Sequence, residues 1–191
     1  MDDFSPAQQQ VLSLLNRYSE HEPENQHSKA LLIDFARHYE NCCERTLMVG
    51  HFTGSCWLVS KDGQRVLLTH HKKLERWLQL GGHADGDSDL AQVALREAEE
   101  ESGLTKLIVE PEIFDLERHA IPARGSDPEH FHHDVRFVVH ATGSEDFVVS
   151  GESHALAWRV ISELVDDAEA EDSIRRMARK WCRRGFNPEN G

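Results

Sequence analysis

Residues Gly82 to Leu104, GHADGDSDLAQVALREAEEESGL, constrain this chain more than any other stretch. They read as a glycine-rich loop that feeds a short acidic helix. Glu97, Glu100 and Glu101 stand at i, i+3 and i+4, so their side chains share one helix face. Like charges at that spacing repel by roughly 1 kcal/mol per pair in water, and several-fold more at a lower effective dielectric. Arg96 offsets part of the repulsion. Holding such a cluster half-buried makes sense when a divalent cation binds it. Hard oxygen donors without a thiolate favour Mg²⁺, with Mn²⁺ next. The opposite side of the helix is small. Ala91, Ala94, Leu95, Ala98 and Ser102 cluster at a 3.6-residue period, which lets the helix axis lie close to a strand or loop. Gly103 suits a left-handed C-cap, and Gly81-Gly82 lets the backbone approach a ligand closely.

The stretch resembles the Nudix box, G-x5-E-x7-R-E-U-x-E-E-x-G-U with U apolar. Gly82, Arg96, Glu97, Ala98, Glu100, Glu101, Gly103 and Leu104 fall in register over all 23 positions from 82 to 104. The one departure is Ser88, which stands where the pattern has its first Glu. That Glu assists the metal site, so the substitution bears on metal affinity or number. Asp87 and Asp89 flank the position and could partly compensate. Read from the residues alone, Ser88 is equally an N-cap for the helix.

The resemblance implies an α/β fold, the Nudix α/β/α sandwich with a mixed β-sheet. It also implies a metal-dependent hydrolase that cleaves the pyrophosphate linkage of a nucleoside diphosphate derivative by direct attack of water, with no covalent intermediate. By the match to the motif, Glu97, Glu100, Glu101 and the carbonyl of Gly81 would hold the metal, and Arg96 would orient Glu97. The general base would be a box glutamate or a glutamate on a later loop, where Glu152 is the candidate. His83 follows the glycines and could hydrogen-bond a substrate phosphate or hold the loop. Gly82, His83, His132 and Asp134 make up the substrate-binding set. His130, His132, Asp134 and Arg136 alternate along one strand and share a face, a composition that suits either a catalytic cleft or a hydrated sheet surface. A mononuclear zinc site there lacks a known ligand spacing. The substrate itself is not written in the box, because specificity in a shared fold lives in loops and appended elements. Phe114, Phe131 and Trp77 could each stack a base or fill a core.

Ser88 favours a second reading, a catalytically impaired Nudix-fold module that binds nucleotides or regulates. Glu97, Glu100 and Glu101 all survive, and they favour the enzyme.

The rest of the chain sets bounds. Its 191 residues suffice for one core plus an appendage. A formal net charge of −13 argues against a nucleic-acid polymer as partner. No apolar run is long enough to span a membrane, and Met1-Asp2-Asp3 does not open a secretory signal. Cys42, Cys43, Cys56 and Cys182 form no C-x-x-C pair, which suits a reducing cytoplasm.

The pattern divides the chain into an N-terminal helical extension (1–45), a Nudix domain (46–168) and a C-terminal helix packed on it (169–191). Residues 5–18 read as a helix capped by Ser5. A polar linker follows at 19–27. A second helix at 28–41 is capped by Ser28, with Leu31, Leu32, Phe35 and Tyr39 facing inward. These helices could cover the core, border the substrate pocket or form a homodimer surface, and the first is preferred. Residues 46–59 read as two short strands or one interrupted at Gly50 and Gly54. Residues 64–69 complete a hairpin, and Trp77 to Leu80 is a short strand. Residues 107–117 read as a strand pair or one strand bent at Pro111, 118–128 as a loop, and 131–141 as the strongest strand. A strand at 154–161 leads to a helical turn capped by Ser162, and 170–184 reads as the last helix.

Overall fold

The computed structural model of the chain describes residues 4–19, 23–71, 75–125, 128–148 and 153–185. In chain order the elements are α1 (Pro6–Arg17), α2 (Pro23–His38), β1 (Gly50–Val59), β2 (Arg65–His71), β3 (Arg76–Leu78), β4 (Leu80–His83), α3 (Leu90–Ser102), β5 (Leu107–Ile121), β6 (His130–Ala141), β7 (Ser153–Val160), α4 (Ile161–Leu164) and α5 (Asp172–Arg183). The strands form a sheet in the order β3-β2-β1-β6-β5, with β4 pairing β1 and β7 pairing β2. None of the helices among the described residues is long and apolar enough to cross a membrane. The contacts divide the chain into two compact units.

The first unit takes residues 1–55, 82–94 and 110–137. Helix α1 starts where Ser5 predicts. The Ser5 hydroxyl accepts from Gln8 N at 3.3 Å, and Gln8 Oε1 accepts from Ser5 N at 3.0 Å, a capping box. Gln8 also donates to the Ala36 carbonyl at 2.8 Å, tying α1 to α2. Helix α2 begins at Pro23, so Ser28 lies inside it and is not its cap. The earlier start follows from Asn25, a buried residue whose amide donates to Asp115 Oδ1 at 2.9 Å and to the Leu116 carbonyl at 3.0 Å. A proline at the first helical position suits that start. Leu12, Leu15, Leu32 and Phe35 are buried, so both helices cover this unit's core. Leu31 and Tyr39 are half-buried.

Strand β1 is single and buried along its whole length. Gly54 does not interrupt it. A Cβ at position 54 would lie 2.8 Å from Val93 Cγ1 and 2.9 Å from the Leu90 carbonyl oxygen. The glycine therefore admits the first turns of α3 against the strand. Strand β5 is likewise continuous through Pro111 and runs on to Ile121, past the loop expected from residue 118. Side-chain contacts hold that end: the Arg118 guanidinium lies 3.6 Å from the Phe131 ring centre, and His119 meets His132 edge-on at 5.4 Å.

The second unit takes residues 56–81, 95–109 and 138–191. Strand β2 lies antiparallel to β3 and to β7, with Arg65 opposite Val160 and Thr69 opposite Leu156. Trp57, Leu58, Leu67, Val139 and Trp181 are among its buried side chains. The Trp181 indole donates to the Gly63 carbonyl at 2.8 Å, which fastens α5 to the β1–β2 turn. Helix α4 begins at Ile161 without a side-chain cap, so Ser162 sits inside the helical turn. The final helix is amphipathic as expected, with Ile174, Met177, Ala178 and Trp181 buried.

Candidate functional site

The loop before α3 is organised by aspartates. Asp89 Oδ1 accepts from Gln92 N at 3.2 Å, the N-cap geometry, and Asp87 Oδ1 accepts from Asp89 N at 2.9 Å. Ser88 is therefore not the cap. Its hydroxyl donates to Gln10 Oε1 on α1 at 2.9 Å. Asp89, one residue later, reaches the N3 amide, and Ser88 bonds α1 instead. At the far end Gly103 adopts φ +67 and donates to the Glu99 carbonyl at 2.8 Å, the expected left-handed stop. A Cβ there would lie 3.2 Å from Val148 Cβ.

Along α3 the buried stripe is Leu90, Val93, Ala94, Ala98 and Ser102, while Ala91 and Leu95 are half-buried. Glu97 and Glu101 are half-buried on the other side, and Glu100 is exposed. Gly81 N–H donates to Glu101 Oε1 at 2.8 Å, so the residue before the box holds one oxygen of the helix carboxylate. Arg96 Nε lies 4.0 Å from Glu97 Oε1, with the arginine 39% and the glutamate 18% exposed. That exposure and distance make the pair a weak one, worth well under about 1 kcal/mol. The donor set is all oxygen, which fits a hard divalent cation. Glu152 lies outside the described residues.

Three strands of the first unit present one polar face. Alternation places His51, Thr53 and Ser55 on it from β1, Asp115, Glu117 and His119 from β5, and His130, His132, Asp134 and Arg136 from β6. It is not a hydrated surface. Asp134 and Arg136 are almost fully buried. Asp134 Oδ1 accepts from Thr53 Oγ1 at 2.8 Å and Ser55 Oγ at 2.7 Å, and its Oδ2 accepts from Arg136 Nε at 2.7 Å. Arg136 also donates to Asp115 Oδ2 at 3.0 Å and meets Glu117 Oε2 at 2.8 Å. Burial works against the Arg136 charge, but Asp134, Glu117 and Asp115 outweigh it and raise its pKa above the ordinary value. Burial likewise works against the Asp134 charge, and Arg136 foremost holds that carboxyl below the ordinary range. Asp134 is thus a member of a buried ion network.

The other end of this face is a histidine cluster. His51, His83 and His132 bring one ring nitrogen each within 4.8 Å of one another. His130 lies with its ring centre 5.2 Å from those of both His51 and His132. Burial first, then His83 and His130, push the His51 pKa down to about 4, against a small opposing effect of the nearby Leu47 backbone. Burial first, then His119, His51 and His83, push His132 down to about 3. At neutral pH both rings are neutral. Neither ring nitrogen of His51, nor Nε2 of His132, has a hydrogen-bond partner of ordinary geometry. Each such buried polar atom costs about 1–3 kcal/mol. His51 and His119 escape a reading of the box and of β6 alone. The signal for His51 is the polar alternation His51, Thr53, Ser55 in an otherwise apolar strand.

The opposite face of β6 packs on α2, where the His133 ring stacks on Phe35 at 3.8 Å. A cavity of about 380 Å³ opens beside it, lined by Phe35, Tyr39, Arg118, Phe131 and His133 among others. Phe131 thus borders open space, whereas Phe114 is core and Trp77 is half-buried. A second cavity of about 380 Å³ is lined by Arg45, Thr46, Leu47, Met48, His51, His83, Pro128 and His130.

A profile described as NUDIX domain matches residues 51–181. No curated protein matches the chain. Several solved structures do. An Ap4A hydrolase binary complex from C. elegans is 21% identical at TM-score 0.55, covering 71% of this chain and 98% of that one. A NUDIX-family hydrolase from Clostridium perfringens is 25% identical at TM-score 0.50, with 71% and 98% covered. A MutT protein from Methanosarcina mazei Go1 is 15% identical at TM-score 0.55, with 74% and 99% covered.

Proposed function

The chain belongs to the Nudix family of hydrolases, and on that premise we propose that it cleaves the phosphoanhydride linkage of a nucleoside diphosphate derivative with Mg²⁺ or Mn²⁺. The observation that carries the reading is the pair Glu97 and Glu101, half-buried on one face of α3, with Glu101 held by the Gly81 amide at 2.8 Å. Glu97, Glu100, Glu101 and the Gly81 carbonyl would hold the cation, which when bound screens phosphate charge and lowers the pKa of water. The Gly81 amide fixes the direction of the Glu101 carboxylate, and Arg96 orients Glu97. Gly82 and His83 bind the phosphates from the end of β4. His132 completes the polar wall beside His83, and Asp134 ties β6 to β1 beneath it through the Thr53 and Ser55 hydroxyls. Glu152 is assigned as the base that receives the proton of the attacking water.

The test is phosphate or nucleotide release from ADP-ribose, dinucleoside polyphosphates, nucleotide sugars and oxidised nucleoside triphosphates, with Mg²⁺, Mn²⁺ or chelator. Glu101→Gln removes metal-dependent turnover and Glu152→Gln slows it while leaving the metal requirement in place. Silence of the folded wild-type chain across the panel sinks the enzyme. Ser88 in place of the box glutamate favours a binding module in that event, and nucleotide binding without turnover is its signature.

A further inference from the structure

We propose that His51, His83 and His132 form a site for a borderline-soft divalent transition metal of the Zn²⁺ class, separate in composition from the carboxylate set on α3. Three ring nitrogens converge within 4.8 Å of one another. Tetrahedral zinc with Zn–N bonds of about 2.0–2.1 Å needs nitrogens about 3.3 Å apart. Small side-chain rotations close that difference, and His83 and His132 are only half-buried.

The second observation is His51 itself. It is 3% exposed, and neither of its ring nitrogens has a hydrogen-bond partner of ordinary geometry, the Leu47 backbone being its one weak polar neighbour. Nε2 of His132 likewise lacks such a partner. An imidazole that serves only as an aromatic spacer normally satisfies at least one nitrogen. Here the unsatisfied nitrogens belong to the cluster in which three rings meet. The neutral form is the ligand form, and burial foremost keeps His51 and His132 in it.

The donor chemistry selects the metal. Imidazole nitrogens suit zinc, cobalt, nickel and copper, whereas Mg²⁺ demands oxygen. Three protein ligands leave a fourth position. His51 and His83 line the cavity shared with Arg45, Met48 and His130, so that position opens on a space able to hold water or an anion. Three protein ligands plus an open position is the arrangement of catalytic rather than purely structural zinc.

The test uses the full chain without a histidine tag, stripped with chelator and shown to be folded by circular dichroism. Zn²⁺ is titrated against a chromophoric chelator in excess Mg²⁺, and Co²⁺ is added separately as a spectroscopic probe. The expected result is one Zn²⁺ per chain undisturbed by Mg²⁺, and the intense visible bands of four-coordinate Co²⁺. His83→Gln and His132→Gln each weaken Zn²⁺ by roughly tenfold or more, and Glu100→Gln leaves Zn²⁺ affinity unchanged. Binding that survives both histidine variants, or that disappears in Glu100→Gln, overturns the proposal. So do the pale spectrum of octahedral Co²⁺ and an absence of Zn²⁺ binding by the wild type. His83 is half-buried on a loop-facing strand end, so its variant keeps the test decisive should His132→Gln fail to fold. None of these readouts depends on hydrolase activity.

Discussion

Arg136→Met should cost about 3–5 kcal/mol at pH 7, and the cost should shrink on acidification. Arg136 is 3% exposed and pairs with Asp134 and Asp115, which are 2% and 0% exposed. Methionine fills similar volume but removes the positive charge that holds two buried carboxylates ionised. Asp134 keeps its Thr53 and Ser55 donors, and Asp115 keeps Asn25. Those donors soften the loss without replacing the charge. A buried carboxylate can also escape by taking up a proton. From an ordinary pKa near 4, that escape costs about 4 kcal/mol at pH 7 and about 1.4 kcal/mol at pH 5. The penalty per carboxylate is therefore capped, and the cap falls by about two thirds over that range.

The sign reverses between the two proteins. In the wild type the Asp134 pKa is depressed, so its contribution is present above the unfolded pKa and is lost as pH falls through the folded one. In the variant the carboxyl pKa is raised by burial, so the folded state takes up a proton and recovers stability as pH falls. Urea unfolding followed by circular dichroism at pH 7, 6 and 5 reads both effects. A double variant with Asp134→Asn should recover part of the loss, because it removes the stranded charge. A difference below about 1 kcal/mol at pH 7, or one that does not change between pH 7 and 5, would refute the account of this network.

Three further outcomes follow from particular contacts. Gly54→Ala should destabilise by about 1–3 kcal/mol in thermal or urea unfolding, since its Cβ meets the Leu90 backbone and Val93; a neutral result would show that α3 is free to retreat. His133 has its pKa pushed down to about 3, by burial first and Arg118 second. Its neutral ring supports the fold fully above pH 6.5, and that support is lost as pH falls from there towards 3. In chelator-treated protein His133→Phe should flatten the pH dependence of the urea midpoint between 6.5 and 5, and an unchanged slope would count against it. Asp89→Ala should lose the Gln92 amide cap and about 1 kcal/mol, while Ser88→Ala, whose hydroxyl contact is exposed, should cost less; the reverse order in denaturation midpoints would restore Ser88 as the cap.

What the sequence determined alone was periodic or short-range. The i, i+3, i+4 carboxylates, the left-handed Gly103 and the Ser5 cap all depend on neighbours within one or two helical turns, and all three stand in the structure. The family, too, was legible, because the box keeps its chemistry at fixed spacing over one contiguous stretch. Boundaries set by distant partners were not legible. Helix α2 starts early because Asn25 reaches Asp115, ninety residues away in sequence. Gly54 looks like a strand breaker until Leu90 and Val93 of α3 are placed against it. The polar stripe of β6 suits a catalytic cleft or a hydrated surface equally, because alternation tells which side chains share a face and says nothing of what covers that face. Only the pairing of four strands lays Thr53 and Ser55 against Asp134, Asp115 against Arg136, and His51 and His83 against His132. Burial, and the neutral histidines it enforces, is a property of that assembly. No window of sequence contains it.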